Sequence, residues 1–411
     1  MIPFSRTVLA NGLTVIHHHD PSTRLVCLNV LYDVGARDED PERTGFAHLF
    51  EHLMFGGSVN IPSYDEPLER AGGDNNAFTT NDLTNYYLTV PANNAETGFW
   101  LESDRMLGLA FSEKSLEVQR NVVMEEFKQR YLNQPYGDVW LHLKPLCYLK
   151  HPYQWNTIGK SLEHIETATM EEVKAFFHRH YLPSNAILVV AGALDEQSAL
   201  DLAQKWFGTI EGGNKPDRNL PVEPQQEGIR RLILERNVPQ DALYMAFRMG
   251  DRLAPEYYIS DVISDLLSNG QSARLYERLV KDKPMFSEIG AYVSGDRDPG
   301  LFVVSGKLSE GVGLEEAEQA VWSELERLGA EPPDERELQK VKNKMESLHQ
   351  FSETNIMNKA FALAQFEWLG DASMVNQELE HYQAVSAADV QQLAQRMFLP
   401  TQCSVLHYKA V

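Results

Sequence analysis

The feature that most constrains this chain is that it repeats itself. Thr169–Val173 through Tyr181-Leu182-Pro183 and Ala186–Val190 reads as a helix, a break and a buried strand. Ser386–Val390 through Phe398-Leu399-Pro400 and Cys403–His407 has the same layout at an offset of 217 residues. Each copy opens on Thr169 or Ser386, followed three residues on by Glu172 or Asp389, as a capping box or its Asp variant requires. The beginnings of the halves match at offsets of 213 to 215. In the first, strand Val26–Val34 leads through Gly35-Ala36-Arg37 to a helix opened by Pro41-Glu42 and ended by Gly56-Gly57. In the second, strand Ala242–Met249 leads through Gly250-Asp251-Arg252 to a helix opened by Pro255-Glu256 and ended by Asn269-Gly270. Length alone would divide 411 residues into two or three unrelated domains; the repeat makes them two copies of one α+β unit.

The expected organisation is a first domain over residues 1–212, a Gly- and Pro-rich linker over 213–228 and a homologous second domain over 229–411. In the first copy the strands are expected at Leu13–His17, Arg24–Tyr32, Thr84–Val90 and Ala186–Ala191, and long helices at Glu96–Leu107, Glu113–Tyr131 and Met170–His180. Strands followed by grouped helices predict an antiparallel sheet with helices on one side.

Composition excludes more than it selects. The chain is 43% apolar and 23% charged, enough for a large core and a poor fit to disorder or coiled coil. With 37 Lys and Arg against 59 Asp and Glu, the net charge is −22, and the basic residues are scattered, so nucleic acid is not an expected partner. Cys27, Cys147 and Cys403 are far apart and form no CxxC pair, which predicts buried free thiols. The longest apolar run, Ala186–Leu194, is nine residues, a buried strand rather than a membrane span. The N-terminus lacks a charged segment followed by an apolar one, so a cytoplasmic location is expected, or a periplasmic one had a signal been removed.

The chemistry concentrates in the first predicted helix, where His48-Leu49-Phe50-Glu51-His52 spells HxxEH. Positions i, i+3 and i+4 share one helix face, so His48, Glu51 and His52 project together while Phe46, Leu49, Phe50 and Leu53 turn largely elsewhere. Two imidazoles one turn apart suit zinc, and a carboxylate beside them can take a proton from water. The pentad alone would also fit a helix with two surface histidines. The second copy speaks against that reading, because it carries Asp261, Ser264 and Asp265 at the corresponding positions. The repeated fold does not need His, Glu and His there. A catalytic zinc takes three protein ligands. In the helix from Ser115 onward, Gln119, Val122, Val123 and Glu126 fall on one face and Glu125 lies about 100° away. Glu126 is the expected third ligand and Glu125 the alternative.

His48-Leu49-Phe50-Glu51-His52, followed 74 residues later by Glu126 within Arg120-Asn121-Val122-Val123-Met124-Glu125-Glu126, resembles the inverted zincins. This is the family of pitrilysin, insulysin and the mitochondrial processing peptidase, here in its short bacterial form. The resemblance runs through Asn11–Val15, Gly72–Thr79, Asn133–Gly137, His151-Pro152-Tyr153 and Ser272–Leu275. It implies two α+β domains of the metallohydrolase-like, processing-peptidase type, and a dimeric chamber built from two such chains or one doubled chain. It further implies one zinc per chain on His48, His52 and Glu126, and Glu51 as general base of a metalloendopeptidase acting on peptides or unfolded polypeptides. Asn76, Ala77, Phe78 and Thr79 resemble the family's edge strand, on which substrate is laid as an added strand.

One departure bears on assembly. Family members place an Arg and, seven residues on, a Tyr after the Arg-Leu pair of the second half; here those positions are Leu279 and Phe286, and neither side chain can donate a hydrogen bond. Arg278 and Tyr292 lie at the wrong spacing. The expectation is a heterodimer whose paralogous subunit lacks HxxEH and supplies Arg and Tyr, with a homodimer as the alternative. The rival function is a non-catalytic scaffold of the same fold, as in the core proteins of the respiratory cytochrome complex. Elsewhere, His17-His18-His19 is expected to be a solvated turn, and His178 and His180 to sit at a helix C-terminus as favourable dipole partners.

Overall fold

The computed structural model describes residues 1–411. The chain forms two compact units that are not contiguous in sequence: one takes residues 1–128, 155–220 and 350–377, the other 129–154, 221–349 and 378–411. Each repeat thus lends one segment to the other unit.

The first unit holds a six-stranded sheet of β1 (Ser5–Val8), β2 (Thr14–His19), β3 (Leu25–Tyr32), β4 (Asp74–Thr79), β5 (Thr84–Pro91) and β6 (Ala186–Gly192), in the order β1-β2-β6-β3-β5-β4. The second holds β7 (Arg230–Arg236), β8 (Ala242–Arg248), β9 (Phe286–Val293), β10 (Leu301–Leu308) and β11 (Cys403–Ala410), in the order β7-β11-β8-β10-β9. Without β1, the two orders are the same strand for strand. The α+β class and the repeat are therefore present as expected, including reciprocal capping boxes at Thr169/Glu172 and Ser386/Asp389.

Two expectations need correction. The sheets are not wholly antiparallel: β2 runs parallel to β6, and β7 to β11. Parallel neighbours need a long crossover, and nearly a whole repeat lies between the two members of each pair. Nor are the helices confined to one side. In the first unit, Ala95–Leu107 packs on β3 and β5 and Glu196–Phe207 on β2. A Cβ on Gly98 would meet the Leu28 and Leu88 side chains at 3.1 and 2.9 Å, so the first of these helices lies almost against the sheet. Residues of alternate parity in the same strands, Ile16, Cys27, Leu31, Val189 and Ala191, pack instead against helix Ile356–Leu369, supplied by the second half of the sequence. The second unit is built likewise: Leu243, Met245 and Phe247 face one core, while Ala242 and Ala246 face helix Val139–Cys147. Covering both faces explains why Leu25–Tyr32 and Ala186–Gly192 read as nearly continuous apolar runs.

Local chemistry shifts other boundaries. His17 and His18 lie buried in β2 rather than in a solvated turn; their ring nitrogens meet the carbonyls of Leu194 (2.8 Å) and Pro3 (2.7 Å). The three cysteines are buried and free, as expected. No helix is long and apolar enough to cross a membrane. The linker has no helix or strand, yet it is anchored: Arg218 donates to Asp38 (2.5 Å) and Asp33 (2.8 Å) in the first unit. In the second unit Glu223 accepts from the backbone N–H groups of Leu149, Lys150 and His151 at 2.8 to 2.9 Å.

The helix carrying HxxEH begins at Phe46, not at Pro41, and ends at Leu53. Residues Asp40–Arg43 form a tight turn instead, closed by Arg43 N–H to Asp40 C=O at 2.8 Å. Gly45 then takes a left-handed conformation (φ 92°), where a Cβ would strike Ile165 and the Ile158 carbonyl. Capping comes from outside the helix. The buried Glu39 carboxylate accepts from Gly45 N–H (2.9 Å), Ala47 N–H (2.8 Å) and Trp155 Nε1–H (3.1 Å). It satisfies first-turn donors that an eight-residue helix cannot satisfy itself. Glu39→Ala should lower unfolding stability by about 3 kcal/mol, since it strands buried donors; a shift below about 1 kcal/mol in urea titration would show that the cap is dispensable.

Candidate metal centre

The motif helix presents two faces. Phe46, Leu49, Phe50 and Leu53 are buried, and Phe50 lies against Phe176, Phe177 and Tyr181 with ring centroids 5.1 to 6.3 Å apart. His48, Glu51 and His52 occupy the other face. The rings of His48 and His52 stand nearly perpendicular, with centroids 4.9 Å apart and an interplanar angle of 80°.

Glu126 arrives from helix Glu113–Phe127, whose N-terminus is capped by Ser112 accepting from Ser115 N–H at 3.3 Å. Arg120 fastens this helix by donating to the carbonyls of Glu166 (3.0 Å) and Ala168 (2.9 Å). Its buried stripe is Leu116, Val123 and Phe127, whereas Val122, expected on that face, is 45% exposed. Glu126 borders this stripe and aims at the histidines: its Oε2 lies 3.6 Å from His48 Nε2 and 3.4 Å from His52 Nε2. The ligand atoms of the three residues all fall within 4.8 Å of one another. Glu125 does not join them; it is exposed and pairs with Lys128 at 2.6 Å. Two imidazoles and one carboxylate, each offering one atom within a small common space and only partly solvated, match in kind and number the donors that a three-ligand zinc site requires.

Glu51 stands beside this point without belonging to the set. Its Oε2 accepts from Thr79 Oγ1 at 2.6 Å. Thr79 ends β4, which pairs only with β5 and is a true sheet edge. The four residues singled out from the sequence, Asn76, Ala77, Phe78 and Thr79, therefore form an edge strand beside the motif helix. Asn76 Oδ1 accepts from Ala77 N–H at 2.8 Å, and the Phe78 ring meets Phe361 edge-on at 5.2 Å. Tyr86 and Tyr181, with hydroxyls 3.2 Å apart, both lie within the electrostatic reach of Glu51. Burial pushes both phenols well above their usual pKa, so they stay neutral near the carboxylate. Sequence reasoning missed the Thr79–Glu51 bond, the Glu39 cap and the tyrosine pair. Only Thr79 carried a signal, a hydroxyl at the end of a strand adjoining the motif.

In the second unit the corresponding positions are closed by the chain's own groups. Asp265 receives Lys344 Nζ at 3.0 Å on both oxygens, and Asp261 accepts from Tyr382 Oη at 2.6 Å. Leu279 and Phe286 are core residues of that unit, 2% and 1% exposed. Arg278 pairs with Glu324 at 3.0 Å, and Tyr292 is 42% exposed on β9.

Fold and donor set define a class, two repeated α+β units with an HxxEH helix in the first, and the comparisons with known proteins identify it. The family described as Insulinase (Peptidase family M16) matches residues 14–138, and the one described as Peptidase M16 inactive domain matches residues 167–345. The chain belongs to peptidase family M16. It is 28% identical to zinc protease PqqE of Helicobacter pylori over 81% of this chain and 76% of that protein. It is 25% identical to the zinc protease YmxG of Bacillus subtilis, itself uncharacterized, over 96% and 95% of the two chains. Similarity extends to the mitochondrial-processing peptidase subunit beta of Saccharomyces cerevisiae, 26% identical over 66% of this chain and 60% of that one. Among solved structures, a protease from Helicobacter pylori superposes with a TM-score of 0.93 at 25% identity, covering 100% of both chains.

The two glutamates separate cleanly in a binding experiment. Glu126→Ala should weaken zinc binding by at least about 100-fold in chelator competition, and Glu125→Ala should leave it unchanged. Equal losses in the two variants would remove Glu126 from the ligand set.

Proposed function

We propose that this chain is a zinc metalloendopeptidase that hydrolyses peptides or unfolded polypeptides. The observation that carries the reading is the convergence of His48 Nε2, His52 Nε2 and Glu126 Oε2 beside a carboxylate, Glu51, that is not one of them. His48, His52 and Glu126 would hold the zinc, which supplies a Lewis acid that brings the pKa of water to roughly 7 and polarises a carbonyl. Glu51 then takes a proton from the attacking water on a carboxylate oxygen and returns it to the departing amine. General base catalysis of this kind commonly contributes ~10²–10⁴-fold. Substrate joins the outer edge of β4 as an added strand, where backbone pairing admits varied sequences and side-chain pockets set preference.

The chain would act as the zinc-bearing half of a heterodimer within a closed chamber. Supporting this is the burial of Leu279 and Phe286 in the second unit's core, which leaves no hydrogen-bond donor from those positions. A paralogous subunit without HxxEH would supply Arg and Tyr.

Protein purified without chelator should carry one zinc. Glu51→Gln should retain the metal while losing at least about 100-fold in kcat on a quenched peptide, assayed with the paralogous subunit present. Zinc-free wild-type protein that assembles with that subunit and lacks activity would favour the scaffold reading. Full activity from this chain as a homodimer would leave the peptidase reading intact and overturn the heterodimer.

A further inference from the structure

We propose that Thr79 is the positioning residue of the general base: its hydroxyl fixes the Glu51 carboxylate and ties that orientation to the strand on which substrate is laid. The inference rests on the peptidase reading and adds a role that the motif does not contain.

A glutamate side chain on a partly solvated helix face has several rotamers open to it, and a base that must meet one water cannot use most of them. The bond from Thr79 Oγ1 to Glu51 Oε2, 2.6 Å and partly buried, has the length of a charge-assisted hydrogen bond. It engages the Oε2 oxygen of the carboxylate. The donor is itself stiff. Threonine is β-branched and restricted at χ1, and Thr79 lies opposite Thr84 in the β4–β5 register. Thr84 is fully buried and donates from Oγ1 to the Val34 carbonyl at 2.9 Å. The carboxylate is thus referenced to the sheet rather than to its own helix.

The same strand end faces the incoming chain. The hairpin closes with Thr80 N–H to Leu83 C=O at 2.8 Å. Alternation of an antiparallel ladder then directs the backbone groups of Asn76 and Phe78 toward β5, and those of Ala77 and Thr79 outward. Ala77 N–H agrees with this, since its partner is the Asn76 side chain and not β5. A strand added at this edge would pair with the backbone of the residue whose side chain holds Glu51. Docking and alignment of the base share one residue.

The test compares zinc-loaded wild type, Thr79→Val and Thr79→Ser. Valine keeps the shape and β-branching and removes the donor; serine keeps the donor. Acetohydroxamate, a zinc chelator that shares its proton with a neighbouring carboxylate, gives a readout independent of turnover. Its affinity by calorimetry should fall about 10-fold in Thr79→Val and recover to within about 2-fold in Thr79→Ser. Zinc affinity should match the wild type in all three. On a quenched peptide, with the paralogous subunit present, Thr79→Val should lower kcat by about 10-fold or more with KM changed less than about 2-fold. Wild-type hydroxamate affinity and kcat in zinc-loaded Thr79→Val would overturn the proposal. So would a loss that serine does not restore, or one confined to KM. A wild type that binds no zinc would instead overturn the peptidase reading and this inference with it.

Discussion

The site depends on how a helix too short to stand alone is held. Eight residues from Phe46 to Leu53 form barely two turns, below the length at which a helix persists in water. Three constraints replace intrinsic stability. Glu39 satisfies the first-turn N–H groups, the aromatic residues of Met170–His180 receive Phe50, and Glu113–Phe127 runs alongside, anchored by Arg120. The face left over carries His48, Glu51 and His52. Because each constraint comes from a different part of the first unit, the donor geometry expresses the fold of that unit rather than of the motif.

The second unit shows the same scaffold without that chemistry. Its strand order repeats the first, and its equivalent helix, Glu256–Ser268, is longer. Where the first unit sets two imidazoles near a carboxylate on a neighbouring helix, the second sets Asp265 against the Lys344 ammonium. In both, polar side chains link the equivalent helix to another, and in the second the cation is the protein's own Lys344 ammonium. Duplication thus separates what the fold needs, a polar tie between helices, from what the first unit adds, two imidazoles and two carboxylates grouped about one helix face.

Much of this was legible in the sequence for a physical reason: periodicity and capping act over a few residues. The offsets of 213 to 217 marked the repeat, Thr169/Glu172 and Ser386/Asp389 marked helix starts, and i, i+3, i+4 spacing put His48, Glu51 and His52 on one face. Glu126 was distinguished from Glu125 by about 100° of helix rotation, and the two side chains do part company there. Val122 faces solvent rather than the apolar stripe, and the helix rotation alone separates the two glutamates.

What only the tertiary structure decided was everything that required residues far apart in the chain to meet. Sequence by itself determined a duplicated α+β protein with an HxxEH helix in its first half, because those properties are written in local spacing. It did not reveal that Ile356–Leu369 and Val139–Cys147 cross to the other unit, although Leu25–Tyr32 and Ala186–Gly192, apolar on both faces, required a second covering layer from somewhere. It placed the motif helix five residues early, because Pro41-Glu42 is a sound helix start locally and the capping carboxylate of Glu39 is recognisable only once the chain has folded back on it. The Thr79–Glu51 bond joins residues 28 apart through a sheet edge. Such pairings depend on strand order, and strand order is set by burial of the whole chain rather than by any short stretch of it.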